Sequence, residues 1–352
     1  MATHAHEIAE AVERIAPNAL AEDWDNPGLQ VGDLDGEVYG VLVALTPLPE
    51  VFEEAKETGV NFLLFHHPLI FRSLKRVNIT SYPGDLISRA VRYNLTVYTA
   101  HTNYDAAPEG VSVALAESLG LEGLLRVLVP RGSLRKLVVF VPAENADAMA
   151  NVLAEAGADV IGKHTQHAFR APATGSYFDE KGQPEGTSEL RLETVVPGHV
   201  AHRAAAAARA AHPYEEPVLD VYPVDGNPKD CGYGRLGTLP EPLTPEELCN
   251  HVSESLGFPA RLVANPGPQR SLRSVAVLGG SGGSFVREAA FSGADAYVTG
   301  DLDYHDGLLA ESLGLVAIDA GHAATELPSL DPLARRLAGL VDAPVSVSRV
   351  RR

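Results

Sequence analysis

The strongest constraint on this chain is an alternation of strand-like and helix-like segments that stops and then resumes. VYGVLVAL (38–45) reads as a buried strand, PLPEVFEEAKETG (47–59) as a helix ending on glycine, and VNFLLF (60–65) as a second strand. DLISRAVRYN (85–94) is helical, LTVYTAHTN (95–103) is a third strand and GVSVALAESLG (110–120) is another helix. Such alternation builds α/β layers. Near residue 130 the order changes. RKLVVFVP (135–142) is followed by a helix at 144–158, strands KHTQHAFRA (163–171) and SELRLETVVP (188–197), a helix at 199–213 and the strand VLDVYPV (218–224). That order, βαββαβ, is the ferredoxin-like split unit. The glycine-rich DGNPKDCGYGRLG (225–237) reads as a linker, after which alternation resumes through strands at 274–280, 295–301 and 315–321. Thr244 and Glu247 have capping-box spacing at the start of the helix at 244–257. The expected architecture is therefore α/β: two layered halves, 1–128 and 231–352, form one metal-binding domain interrupted by a ferredoxin-like insert over 129–230.

The candidate chemistry lies where strands end. LLFHHP carries His66 and His67, VYTAHTNYD carries His101 and Asp105, and VAIDAGHAATE carries His322 and Glu326. Open α/β sheets bind ligands outside the carboxyl ends of their strands, so parallel strands would bring the three clusters to one edge. Within a regular strand His66 and His67 would face opposite ways; both can reach one site only once the strand has ended, and Pro68 suits such an exit. His322 and Glu326, four residues apart, share a helix face. A double histidine alone is more often a solvated turn pair than a ligand pair, but three similar positions argue for convergence. Three imidazoles and two carboxylates exceed one tetrahedral site and suit a pair of divalent ions, which together activate water for hydrolysis. Nitrogen and oxygen ligands admit zinc, manganese or iron without choosing between them.

Other motifs leave alternatives open. LGGSGGSF (278–285), with Gly280, Ser281, Gly282 and Gly283, is either an anion-cradling loop or a tight strand-to-helix turn. Asp301 and His305 are candidates for a supporting or proton-transfer pair, with a surface loop as the alternative. His212, Glu215 and Glu216 in AHPYEEP read better as turn chemistry than as a second metal site, and His164 and His167 as solvated strand residues.

A net charge of −18 disfavours nucleic-acid binding. The N-terminus has no apolar stretch of signal-peptide type and no run approaches membrane-span length, so a cytoplasmic location is expected. Cys231 and Cys249 have no metal-ligand spacing, which leaves His, Asp and Glu as the only candidate ligands.

WDNPGLQVGD (24–33), FHHPLIF (65–71), HTNYDA (101–106), VTGDLDYHD (298–306) and DAGHAATE (319–326), in this order, resemble the Nif-three-like family, whose bacterial members are often labelled GTP cyclohydrolase 1 type 2 homologues. The resemblance covers essentially the whole chain. The insert, with HPYEEP and DVYPV, is similar to the PII-like or CutA-like domain of the longer bacterial members. By motif, the family's two-metal ligands fall on His66, His67, Asp105, His322 and Glu326, with His101 in a supporting position. The resemblance also implies a toroidal homohexamer with metal sites facing its interior; a small-molecule substrate is expected, of a kind that the motifs do not name. GTP cyclohydrolase I itself has cysteine ligation at its zinc, and Cys231 and Cys249 lie away from every cluster in this sequence.

Overall fold

The computed structural model describes residues 3–158, 168–178 and 184–351. The chain forms two compact units, one of Met1–Pro130 with Asp230–Arg352 and one of Arg131–Lys229. In chain order the first unit opens with α1 (Ala5–Ile15), β1 (Gly28–Val31), β2 (Val41–Ala44), α2 (Pro49–Thr58), β3 (Phe62–Phe65), α3 (Gly84–Arg92), β4 (Thr96–Thr99), α4 (Thr102–Asp105), α5 (Val111–Ser118) and β5 (Glu122–Pro130). The second unit holds β6 (Leu134–Val141), α6 (Ala146–Glu155), β7 (Phe169–Phe178), β8 (Pro184–Pro197), α7 (Gly198–Ala211) and β9 (Leu219–Val224). The first unit resumes with β10 (Gly232–Leu243), α8 (Pro245–Leu256), β11 (Arg261–Ala264), β12 (Leu272–Ser281), α9 (Val286–Phe291), β13 (Ala296–Gly300), α10 (Tyr304–Ser312), β14 (Val316–Asp319), α11 (His322–Glu326), α12 (Leu330–Ala338) and β15 (Val345–Val347).

Besides a short antiparallel pair of Thr3–His4 with Glu37–Val38, the first unit contains two larger sheets. One has the order β15-β2-β3-β4-β1, parallel except for β1. Every residue of β2, β3 and β4 is buried, as parallel strands covered on both faces require. Val41, Val43, Phe62 and Leu64 pack towards α1 and α12, whereas Leu42, Ala44, Leu63 and Phe65 pack towards α2 and α3. Each such Val, Leu or Phe side chain stabilises the fold by about 1.5–3 kcal/mol relative to exposure. The other sheet has the order β11-β14-β13-β12-β10-β5, with a parallel centre of β12, β13 and β14. Helix α8 begins with the expected capping box of Thr244 and Glu247.

Several sequence expectations need correction. The strand expected over 95–103 ends at Thr99, because His101 N–H donates to Asn103 Oδ1 at 2.8 Å and Thr102 begins a short helix. The presumed linker contains the start of a 12-residue strand, β10, and Cys231 is fully buried. The glycines there serve close packing: a Cβ on Gly232 (φ 141°) would lie 2.2 Å from the Val129 carbonyl oxygen. The partner strand β5 had no counterpart in the sequence reading. The clusters also leave two different sheets, not one common edge.

The second unit is a four-stranded antiparallel sheet of order β9-β6-β8-β7. Helices α6 and α7 share a core with Leu137, Val139, Val141, Leu192 and Val196. His212 donates its Nε2–H to the Phe140 carbonyl at 2.8 Å, while its Nδ1 accepts from Tyr214 N–H at 3.0 Å. With an N–H acceptor role at Nδ1, Nε2 carries the proton and His212 is a turn residue with both nitrogens used. His164 and His167 lie outside the described residues.

Candidate metal centre

The carboxyl ends of β3, β4 and β14 meet within the first unit. At the end of β3 the chain bends, although His66 and His67 still donate their amide N–H groups to Ala44 and Leu45 at 3.1 and 2.9 Å. The bend puts the two imidazoles on one side, with ring centroids 5.1 Å apart. His101 follows β4 and lies 5.3 Å from His66, ring to ring. Helix α11 begins just beyond β14 and presents His322 and Glu326 from successive turns; the His322 ring is 5.3 Å from that of His67.

Glu326 is the hub. Its Oε1 lies 3.5 Å from His66 Nε2 and 3.2 Å from His322 Nε2, and its Oε2 lies 3.1 Å from His67 Nε2. Asp105 Oδ1 lies 3.6 Å from His66 Nε2. Two overlapping groups have ligand atoms mutually within 4.8 Å: His66, His67 and His101, and His67, His322 and Glu326. The geometry thus draws His101 into the set, alongside the five ligands expected from sequence.

The other face of each imidazole is already held. His66 Nδ1 meets the Ala100 carbonyl at 3.0 Å, His67 Nδ1 the Thr46 hydroxyl at 3.0 Å, His101 Nδ1 the Asp25 carboxylate at 2.8 Å and His322 Nδ1 the Asp301 carboxylate at 2.7 Å. Carbonyl and carboxylate partners fix the proton on Nδ1 and leave an Nε2 lone pair for the cluster, the arrangement that orients metal-binding histidines. Asp301 serves from a left-handed backbone (φ 56°), a conformation that aspartate tolerates better than most residues.

The inward atoms provide the test of fit. His66 Nε2, His67 Nε2, Asp105 Oδ1 and Glu326 Oε2 are buried and make no aligned hydrogen bond. A buried polar atom left unpaired costs about 1–3 kcal/mol. Four of them converging, all with ligand chemistry, fit divalent ions. In the protein alone, burial works against charging His66, but Asp105 and Glu326 outweigh it and push its pKa up to about 9. Burial likewise opposes ionisation of Glu326, yet His322, His66 and His67 hold it well below the usual carboxylate range. Protons occupy the cluster where ions would displace them. Asp25 is lowered to about 2: burial opposes this, and bonds from His101 and Thr102 prevail.

Of the remaining expected residues, Asp301 supports His322, but His305 is exposed, packs against Tyr304 and does not line the cavity. In the glycine run, Gly280 N–H donates to Thr325 Oγ1 at 2.9 Å and Gly282 N–H to the Gly300 carbonyl at 3.2 Å. Gly280 (φ 75°) makes room for a ligand, since a Cβ there would lie 2.5 Å from Glu326 Oε1. A Cβ on Gly283 would lie 2.3 Å from Asp306 Oδ2. Ser281 and Ser284 line the cavity. Cys231 and Cys249 do not, and burial pushes the Cys231 thiol up to about 12.

Sequence reasoning missed Asp25, which also accepts from Thr102 N–H and Oγ1 at 3.0 and 2.5 Å. WDNPGLQVGD entered only as a motif of the resemblance, and nothing local ties its aspartate to a histidine 76 residues away. It also missed the aromatic wall of Trp24, Phe71, Tyr233 and Phe285 around a 720 Å³ cavity over the cluster.

The Duf34/NIF3 (NGG1p interacting factor 3) family model matches residues 3–351. A Bacillus subtilis protein named GTP cyclohydrolase 1 type 2 homolog is 38% identical over 333 residues, covering 91% of this chain and 88% of the relative. A crystal structure of a Bacillus cereus protein related to NIF3 superposes with a TM-score of 0.89 at 37% identity, covering 99% of this chain and 98% of that one. The Staphylococcus aureus protein SA1388 gives a TM-score of 0.74 at 27% identity, with 99% and 97% covered.

Proposed function

Because the chain belongs to the Duf34/NIF3 family, whose motifs its sequence carries, we propose that it is a metal-dependent hydrolase holding two divalent ions and acting on a nucleotide-like or phosphorylated small molecule. The observation that carries the reading is the convergence of four buried ligand atoms without a hydrogen-bond partner, two on imidazoles and two on carboxylates, within a set of imidazoles oriented through their Nδ1 atoms. Zinc, manganese or iron all suit the donors. His66, His67, Asp105, His322 and Glu326 would hold the ions, with His101 at the edge of the same set. Bound there, divalent ions supply water activated for attack near neutral pH. The chain's own part is to orient: Asp25 aligns His101, Asp301 aligns His322, and Gly280 leaves room for the Glu326 carboxylate. Ser281 and Ser284 offer hydroxyls to a substrate in the cavity.

The second reading is a non-catalytic metal-binding ring acting as regulator, scaffold or metallochaperone, with the insert as sensor. One observation favours self-assembly. The segment 71–82 exposes Phe71, Leu74, Val77, Ile79 and Tyr82 beside Arg72, Lys75 and Arg76. On a chain of net charge −18, a basic and apolar segment suits the acidic surface of another copy. A cytoplasmic location remains part of the proposal. Among the described residues no helix is long and apolar enough to cross a membrane.

Screening metal-loaded protein against phosphoesters and nucleotides tests the hydrolase. Turnover lost by at least about 100-fold in His66→Ala and Glu326→Ala, with loss of bound metal, supports it. Full metal occupancy with no turnover across the panel favours the binding role.

A further inference from the structure

Beyond the candidate metal ligands the described lining of the cavity is aromatic, small or acidic apart from Leu278, and that composition limits what can enter. Trp24 and Phe71 are 59% and 47% exposed. Their rings stand 5.8 Å apart at 68°, and each meets His101 edge-on, at 6.2 and 6.3 Å. An edge-to-face pair leaves ring faces uncovered, and flat ligands stack on such faces. Tyr233 and Phe285 pack together elsewhere in the lining, and Tyr233 donates its hydroxyl to Glu22 at 2.9 Å. Glu22 also lines the cavity, as a carboxylate able to accept from a ring N–H.

Among the described residues, no lysine or arginine lines the cavity. Phosphate sites ordinarily supply such cations, or free backbone amides. Here the amides of Gly280 and Gly282 are already bonded, and Glu22 opposes a further negative charge. With no Lys or Arg in the described lining, ions on the His–carboxylate cluster would be the main positive charge that a ligand meets there.

We propose that this cavity binds a planar nitrogen heterocycle, stacked at Trp24 and Phe71, with a single anionic group directed to the metal end. The proposal rests on the metal-site reading above for its anionic end, and on the aromatic wall for its ring.

Trp24 is the chain's only tryptophan, so its fluorescence reports stacking without reference to turnover. Metal-loaded protein is titrated with guanosine 5′-monophosphate, guanosine 3′,5′-bisphosphate and ribose 5-phosphate. The monophosphate is expected to quench Trp24 saturably. Ribose 5-phosphate, without a ring, gives no quenching and competes at least about tenfold more weakly, the contribution of a single base–aromatic stack. The bisphosphate binds no more tightly than the monophosphate. Phe71→Ala weakens the monophosphate about tenfold at unchanged ion content, and Phe71→Leu, which keeps apolar bulk, weakens it less. Equal binding of monophosphate and ribose 5-phosphate, a bisphosphate about tenfold tighter, or no effect of Phe71→Ala would overturn the proposal. Quenching without hydrolysis of any phosphoester removes the hydrolase and leaves this ligand class standing. Hydrolysis of alkyl phosphates with no preference for a ring does the reverse.

Discussion

Arg235 and His66 are buried almost equally, at 2% and 1% exposure, yet their polar atoms are used in opposite ways. Burial lowers the Arg235 pKa to about 10, which still leaves a full charge at neutral pH. Among the described residues its guanidinium bonds to carbonyls rather than to a carboxylate, donating to five, of Gly232, Gly234, Ala107, Pro108 and Asp230, at 2.8–3.1 Å. His66 shares one nitrogen with a carbonyl and leaves the other unpaired, as its neighbours do. A polar cluster that serves the fold is closed within the protein. One that serves a ligand is left open on one side, and the open side marks the function.

The largest effect expected from this contrast is on stability. Arg235→Met strands five carbonyl groups, and unfolding of the first unit, followed by Trp24 fluorescence, should show a loss of at least about 3 kcal/mol. A change below about 1 kcal/mol would mean that the closed cluster is not structural. Metal removal comes next. Chelation should destabilise the wild-type first unit by about 2.7 kcal/mol for each ion site held at a hundred times its Kd. The same treatment should leave Glu326→Ala unchanged. Equal sensitivity in both proteins would break the comparison.

Asp25→Asn and Asp301→Asn probe the outer supports. Each should weaken metal binding about 10–100-fold, measured by competition with a chromogenic chelator; unfolding should change little in Asp301→Asn, whose aspartate is half-exposed, and more in Asp25→Asn, whose buried carboxylate also holds Thr102. Unchanged affinity in both would show that the Nδ1 contacts do not orient the ligands.

The smallest effect concerns Glu54, which is buried on α2 and accepts from Ser348 Oγ at 2.6 Å and from Arg349 N–H and Nε. Burial opposes its ionisation, but these donors lower its pKa. A lowered folded-state pKa contributes stability that is present above the unfolded carboxyl value of about 4.3 and is lost as pH falls through the folded value. Wild type should therefore exceed Glu54→Gln by about 1 kcal/mol at pH 7, a figure kept small because Arg349 is exposed. The gap should close below pH 4; a gap independent of pH would contradict the assignment.

Much of the fold and of the candidate ligand cluster was legible because both depend on local pattern. His322 and Glu326 follow from four-residue helical spacing, and His66-His67-Pro68 from a strand that must end. What stayed hidden depends on pairing. Periodicity does not say which strands are neighbours, so the clusters seemed to share one sheet edge when they leave two. The glycines of 232–237 imitate a linker, since glycine serves close strand approach as readily as flexibility. Asp25 was invisible because its partners, His101 and Thr102, are distant in sequence.

The central claim is that the open cluster holds two divalent ions. Its most direct test is to saturate the purified protein with manganese or zinc, remove free metal by gel filtration, and count bound ions by elemental mass spectrometry. The account predicts two ions per chain in wild type and fewer than one in Glu326→Ala. One ion or none in fully loaded wild type would contradict it.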